Sequence, residues 1–178
     1  MTKIEAIPSL VSPIKMRGIL TIHVKNAKNG AILRTIHKQN VITDDAGNVM
    51  RSLIAQRATD HAAAYLALGS MRFGTSSTTP LRSQTDLLAE VSSARKELED
   101  MDKQNGSAGE IQFIATLQSA DANGNTLREV GLFTTGTAWD GAQNPANGLY
   151  MFARQIHAPI EKTVALTLEY NWAIQFTV

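Results

Sequence analysis

The chain has 178 residues, which suits one domain, or one domain with an extension. Apolar residues make up 43% of it, enough to build a core, and 17 basic side chains are balanced by 16 acidic ones. This near balance argues against nucleic acid as a partner, because neutralising phosphates needs a basic surface. Since there is no cysteine, disulfides, thiolate metal sites and a cysteine nucleophile are excluded.

Residues 1–18 are predicted to form an extended arm. Pro8, Pro13 and Gly18 interrupt its short apolar runs, and proline removes a backbone donor and disfavours helix before it. The arm either crosses a neighbouring subunit or lies over its own core, and both alternatives stay open. We expect no signal peptide, because no continuous apolar region is present, and no stretch is long enough to span a membrane. Residues 19–178 are predicted to form a single β-rich domain.

The first part of this domain is predicted to be a hairpin followed by a helix. Residues 19–25 alternate between apolar and polar side chains, which is typical of a half-buried strand. The Asn-Gly pair at 29–30 is a strong hairpin turn signal, and residues 32–37 return as the partner strand. The apolar residues of 45–57 fall on one helical face, which indicates an amphipathic helix.

The middle of the chain combines a clear prediction with an ambiguous one. Residues 65–74 are predicted to form a buried strand with a bend at Gly69. Residues 85–103 have apolar side chains at helical spacing and a composition that suits a helix.

Three further strands are predicted at 111–117, 128–134 and 149–156, separated by turns and polar loops. The second and third of these strands are apolar at consecutive positions, which is typical of strands covered on both faces. In a chain of this size, neighbouring subunits could supply the second cover.

The last segment, residues 164–178, has an apolar residue at every even position. A period of two over that length cannot bury one face of a helix, so it predicts a strand, or a bent pair, on the order of 50 Å long. Such a strand would either cross two sheets or pair at its end with another subunit. The predicted fold class is therefore mainly β: an antiparallel β-sandwich-like domain with one or two short helices and the extended N-terminal arm.

Searches for catalytic and metal-binding patterns favour structural interpretations. His23 and His37 could meet across the hairpin, but solvated histidines on a strand face are the simpler interpretation. Residues 121–125 imitate part of a calcium loop but are too short for a complete one, so a hairpin turn that uses Asn-Gly is favoured. The acidic cluster within 97–102 has no aromatic cleft around it and is interpreted as a solvated face. We therefore predict no catalytic residue, no cofactor, no metal and no enzymatic activity.

The order of several short motifs resembles the tail-fibre and tail-collar-type structural proteins of tailed bacteriophages. Each motif is weak by itself, and the resemblance covers about residues 19–178, so the arm lies outside it. In chain order the motifs are KQNVITDDAG at 38–47, YLALG at 65–69, GTSSTTP at 74–80, TDLLAEV at 85–91, IQFIATL at 111–117, LREVGLF at 127–133, LYMFAR at 149–154, and the closing strand after PIEK at 159–162.

This resemblance implies a virion structural protein of the tail, a collar, baseplate or fibre-attachment component, that is assembled in the host cytoplasm. Its partners would be other copies of itself and other tail or connector proteins, with no nucleic acid and no membrane. It carries no catalytic residue to transfer. It also implies that residues 93–103 could be a strand leading into 111–117, so a short helical turn at 85–92 followed by extended chain becomes the preferred interpretation, and helix or strand stays open.

Two other functions remain as alternatives: a capsid decoration or head-fibre protein, and a carbohydrate-binding module that uses Trp139 and Tyr150. Residues expected at interfaces are apolar side chains of the arm, a tryptophan in a polar loop and tyrosines of the strands. They are Ile7, Leu10, Ile14, Trp139, Tyr150 and Tyr170.

Overall fold

A computed structural model describes residues 15–54, 68–98, 103–106, 109–134 and 149–177. These residues form nine strands, one α-helix and a short 3-10 turn at Ser92–Ala94. The elements are β1 (Lys15–Asn26), β2 (Ile32–Ile42), α1 (Asp44–Ile54), β3 (Leu68–Gly74), β4 (Lys96–Glu97), β5 (Lys103–Asn105), β6 (Glu110–Leu117), β7 (Thr126–Thr134), β8 (Met151–Glu161) and β9 (Leu166–Thr177).

All nine strands belong to one antiparallel sheet in the order β4-β3-β7-β8-β2-β1-β9-β6-β5. The sheet curls until it is nearly closed, so the apolar faces of its two halves meet in one core. The mainly β, antiparallel prediction is confirmed. The sandwich description fits only loosely, because β2 belongs to both halves and keeps them in one continuous sheet.

The alternation of the last segment is confirmed in β9. Tyr170 and Trp172 are fully buried, and they pack into the core with the other even-numbered residues of the strand. The strand begins at Leu166 rather than at 164, and β1 pairs with it along its whole length while β6 pairs with the other edge. Neither alternative for the length of this strand holds: it lies within one sheet, β1 pairs with one edge along the whole strand, and β6 of the same chain pairs with residues 168–175 on the other edge.

The predicted N-terminal hairpin is present, and Gly30 adopts the left-handed φ of 71° that its turn requires. β1 begins at Lys15, so residues 15–18 belong to the sheet and not to an arm. The helix is confirmed as α1, with Asp44 and Asp45 in its first turn, where carboxylates favourably oppose the helix dipole.

Residues 85–103, for which the sequence left helix or strand open, contain no α-helix among their described positions, 85–98 and 103. Residues 85–91 are irregular, the 3-10 turn follows, and the two-residue strand β4 comes after it. The helical turn expected at 85–92 is therefore wrong. The backbone N–H groups of Leu88 and Ala89 donate to the carboxylate of Glu129, and that of Val91 donates to the carbonyl of Phe73, so they do not form helical bonds.

Residues 75–91, which we call the covering loop, lie over the outer face of β7 and β8. Leu87 packs with Phe133 and Met151 in a small apolar cluster there. The covering of both faces of these strands is confirmed, but the second cover comes from the chain itself and not from a neighbouring subunit.

In β3, the register shifts between Leu68 and Ser70, which places the predicted bend at Gly69.

Candidate assembly surface

A buried ion pair lies between β7 and β8, beneath the covering loop. The Nε and Nη2 atoms of Arg154 donate to Oε2 of Glu129 at 2.9 and 2.6 Å, and neither side chain is exposed to solvent. The second guanidinium arm of Arg154 donates to the carbonyl of Thr78 and to Oε1 of Gln84, at 3.1 and 3.0 Å. Because the pair is sealed from solvent and its partners come from the loop, its role is to hold the loop in place.

The carboxylate of Glu129 also organises the loop backbone. It accepts hydrogen bonds from the N–H groups of Ser76, Leu88 and Ala89, at 3.3, 3.3 and 2.8 Å. A Cβ atom on Gly74 would lie 2.4 Å from Oε1 of Glu129, so only glycine fits where β3 passes this carboxylate. Both ends of the covering loop are thus tied to a single buried charge.

A second buried charge, Lys162, sits inside the turn that imitates a calcium loop. Its ammonium donates to the carbonyls of Ser119 and Thr163 and to Oδ1 of Asn123, at 3.3, 3.1 and 3.2 Å. Burial lowers the pKa of Lys162, while the charge of Asp121 acts in the opposite direction. A turn is present at residues 119–124, but the predicted hairpin is wrong, because β6 and β7 pair with other strands and not with each other. Oxygen atoms of this turn surround an ammonium group of the chain itself.

The histidines of the hairpin lie on the outer face and each contacts a threonine. Nδ1 of His23 is 3.1 Å from the hydroxyl of Thr35, and Nδ1 of His37 is 3.0 Å from that of Thr21. Across the described ranges, no group of three or more His, Asp or Glu residues is placed to hold a metal ion. Nor does any helix of the described residues have the length and apolar character needed to cross a membrane.

Strand β2 differs from these regions because most of its residues are exposed to solvent. Seven of the eleven residues of β2 are exposed, including Ile32 and Leu33 at 57% and 58%. The cause is its position in the sheet: β1 pairs with residues 32–40 on one side, whereas β8 pairs with Val41 and Ile42 alone on the other. The ladder with β8 ends at that point, so residues 32–40 have an edge with no strand paired to it within the described chain.

The junction at which β2 and β8 separate is fixed by several bonds. The side-chain amide of Gln155 donates to the backbone carbonyl of Gln39, and the hydroxyl of Thr43 donates to the carbonyls of Met151 and Phe152. The backbone N–H of Thr43 also donates to the carbonyl of Phe152 at 3.1 Å. These contacts make the start of the open edge a defined structural feature.

His157 is buried just beside this junction. Its Nδ1 lies 2.9 Å from the carbonyl of Ala158, its ring stands 5.9 Å from that of Tyr170, and its Nε2 has no hydrogen-bond partner among the described residues. The pKa of His157 is lowered to about 4, mainly by burial and to a smaller extent by the positive charges of Arg34 and Lys38, while the hydrogen bond with the carbonyl of Ala158 acts in the opposite direction. The ring is therefore neutral near pH 7.

The open edge of β2 has two different faces. Arg34, Ile36 and Lys38 share the face that carries the buried side chains of β1, because the register pairs them with Val24, Ile22 and Leu20. Ile36 is buried, but both cations are exposed. The strand contains no acidic residue. We call the uncovered side of residues 32–40, with these two cations, the β2 edge.

The residues expected at interfaces do not gather at the β2 edge. Tyr150 and Tyr170 are buried within the chain's own core. The four others, Ile7, Leu10, Ile14 and Trp139, lie outside the described residues. The sequence did contain a signal for the edge, since cations take the core-facing positions of β2 on either side of Ile36.

Comparison with known proteins adds no relative. No family model, no curated protein sequence and no solved structure matches the chain. The described residues therefore define the class by geometry: a mainly β, antiparallel protein with one nearly closed sheet, in which residues 32–40 of β2 have no strand paired on one side.

Proposed function

We propose that the chain is a structural protein of a bacteriophage virion, specifically a tail component such as a collar, baseplate or fibre-attachment protein. It acts by symmetric assembly with copies of itself and by contact with other tail or connector proteins, and it is not an enzyme. The order of the sequence motifs supports the phage assignment. The exposure of β2 is the single structural observation that supports assembly.

Strand β2 is far less covered than the other long strands β7 and β9. β7 and β9 contain almost no exposed apolar side chain, whereas β2 exposes both Ile32 and Leu33 beside the hairpin turn. Exposed apolar side chains that lie next to each other are typical of surfaces that contact another protein. Closed symmetric assembly would bury Ile32 and Leu33 because each copy contacts its neighbour.

Three buried charges of the described chain support a structural role. Glu129, Arg154 and Lys162 are all buried, and each is bonded to neighbouring backbone or side-chain groups. Charges at catalytic sites must reach a substrate, whereas these three hold loops and turns in place.

The first experiment measures the mass of the purified full chain by light scattering and images it by negative-stain electron microscopy. We expect a closed oligomer, a ring or a trimer. Replacing Ile32 and Leu33 together by serine should shift the mass toward the monomer. The matched control replaces Leu81 and Leu88, which are similarly exposed at 58% and 51% but lie in the covering loop, and it should keep the oligomer.

A second experiment tests the location in the virion. Gold-labelled antibody against the chain should decorate the tails of phage particles from a strain that carries its gene. A monomer at every concentration would contradict symmetric assembly. Label on the heads alone would favour the decoration or head-fibre alternative instead.

A further inference from the structure

We propose that the β2 edge binds an extended, acidic segment of a partner protein, which adds to the sheet as a strand beside β2. The segment carries two carboxylate side chains on one face, with an apolar residue between them. This inference rests on the geometry of the edge and not on the proposed virion role. It assigns to the chain a recognition site with a defined chemistry.

The backbone of β2 is oriented for such pairing. Gln39 accepts a bond from Gln155 of β8, so its carbonyl points away from β1 and toward the open side. Backbone groups point to alternate sides along an antiparallel strand, so those of Thr35 and His37 point to the same open side. β8 cannot pair with them, because its ladder with β2 ends at Val41. An added strand would find donors and acceptors already fixed in direction.

The side chains specify what kind of strand fits. Arg34 and Lys38 stand two positions on either side of the buried Ile36, on the core-facing side. Residues directly opposite on a neighbouring strand have side chains close enough to interact, and opposite charges there stabilise the pair. A partner strand therefore fits best with an apolar residue opposite Ile36 and with carboxylates opposite the two cations.

Positive charge is not neutralised locally at this site. β2 has no acidic residue, and the ion pairs of the described residues do not include Arg34 or Lys38. Both cations also lie close enough to His157 to lower its pKa. A carboxylate-bearing strand would therefore complement the charge of the edge.

A second copy of β2 is a poorer occupant of the edge. Antiparallel pairing of two β2 edges about Ile36 would place Arg34 of each copy opposite Lys38 of the other, and like charges directly opposite are destabilising. Inward-pointing charges are also a known protection against edge-to-edge self-pairing. The same two cations thus disfavour self-pairing and favour an acidic strand.

The test uses two fluorescein-labelled peptides, Thr-Glu-Thr-Val-Thr-Glu-Thr and the same sequence with both glutamates replaced by lysine. Binding to the full chain is measured by fluorescence anisotropy. We expect the glutamate peptide to bind at least about tenfold more tightly than the lysine peptide, with a preference that weakens as salt is raised. Hydrogen exchange of the amides of Thr35 and His37 should slow when the glutamate peptide is bound.

Charge reversal distinguishes this site from general attraction to a basic surface. Arg34→Glu/Lys38→Glu should invert the preference, so that the lysine peptide binds more tightly. The control Lys15→Glu/Lys28→Glu makes the same change of net charge at two exposed lysines outside the edge, and it should keep the preference for glutamate.

Three results would overturn the inference. They are equal binding of the two peptides, a glutamate preference that survives Arg34→Glu/Lys38→Glu, and slow exchange of the Thr35 and His37 amides in an oligomer without peptide. The last result would mean that a second copy covers the edge. Failure of the oligomer experiment has a different meaning, because a monomer that binds the glutamate peptide would contradict the proposed assembly and leave this site intact.

Discussion

The outer face of β7 and β8 and the edge of β2 are both places where the sheet could be left open. The first is closed by the covering loop, which is tied down by the buried pair of Glu129 and Arg154. The second stays open, because β8 diverges from β2 after only two paired residues. The same chain therefore completes one part of its sheet and leaves another part incomplete.

The difference lies in what each charged group contacts. Arg154 is fully buried and its charge is matched by a carboxylate and by loop oxygens. Arg34 and Lys38 are exposed, and neither takes part in an ion pair among the described residues. A buried charge must be neutralised for the chain to fold, whereas an exposed charge can wait for a partner. The covering loop is thus part of folding, and the β2 edge is available for binding.

The largest expected effect comes from breaking the buried pair. Arg154→Met leaves the carboxylate of Glu129 buried without its counter-charge, and we expect a loss of about 3–5 kcal/mol in the free energy of unfolding. Urea denaturation at pH 7 measures it. The matched control is Lys25→Met, which removes the cation of the half-exposed pair with Glu169 and should cost about 1 kcal/mol or less.

Equal losses in Arg154→Met and Lys25→Met would show that the covering loop does not depend on the buried pair. The contrast between a self-completed face and an open edge would then lose its physical basis. Hydrogen exchange of Ala89, whose N–H donates to Glu129, reports on the loop directly and should become faster in Arg154→Met alone.

Much of the fold could be predicted from periodicity. β1 and β9 alternate because each has one face in the core and one outside, and the same pattern is visible in the sequence. The covering loop could not be predicted in this way. Leu87 and Val91 are four residues apart, as on one face of a helix, but the backbone of this segment bonds to Glu129, a residue distant in sequence, and tertiary contacts override local propensity.

The candidate site was harder to predict, because an interface is sought among large apolar and aromatic side chains. Tyr170 fits that expectation by type, yet it lies in the core and contacts Phe73 at 4.6 Å between ring centroids. The β2 edge depends on where β8 leaves β2, and strand divergence has no local sequence signal. Only the cations at core-facing positions of β2 hinted at it.

His157 lies near the junction of β2 and β8, where the covered part of the sheet meets the β2 edge. Its pKa of about 4 is below the ordinary value of 6.5, so the unfolded chain takes up a proton first as the pH falls. The stability from the neutral ring is complete above about pH 6.5 and is lost toward pH 4. We expect a loss of about 2–3 kcal/mol between pH 7.5 and 4.5, measured by urea denaturation.

His157→Phe should remove that part of the pH dependence, because phenylalanine fills the same buried site without a titrating group. His37→Gln changes an exposed histidine of β2 and should keep the pH profile of the parent protein. If His157→Phe retained the full acid loss, the junction of β2 and β8 would not be sensitive to this ring, and carboxylates elsewhere would account for the profile.

The smallest expected effect separates close packing at the covering loop from the general cost of replacing glycine. In Gly74→Ala, the new methyl group would lie 2.4 Å from Glu129 and 2.5 Å from the carbonyl of Ala89, so the loop must shift. We expect a loss of about 1–3 kcal/mol in unfolding free energy. Gly47→Ala is the control: its methyl group meets nothing within 4 Å on α1, and it should stabilise the protein by up to about 1 kcal/mol.

Gly74→Ala also reports on whether the covering loop and the buried pair form a single structural unit. When Gly74→Ala is added to Arg154→Met, the combined loss should be smaller than the two separate losses together, because both changes release the same loop from Glu129. Full additivity would mean that the β3 contact and the ion pair hold different structures. In that case the cover over β7 and β8 would consist of two independent attachments, and the loss of one would leave the other in place.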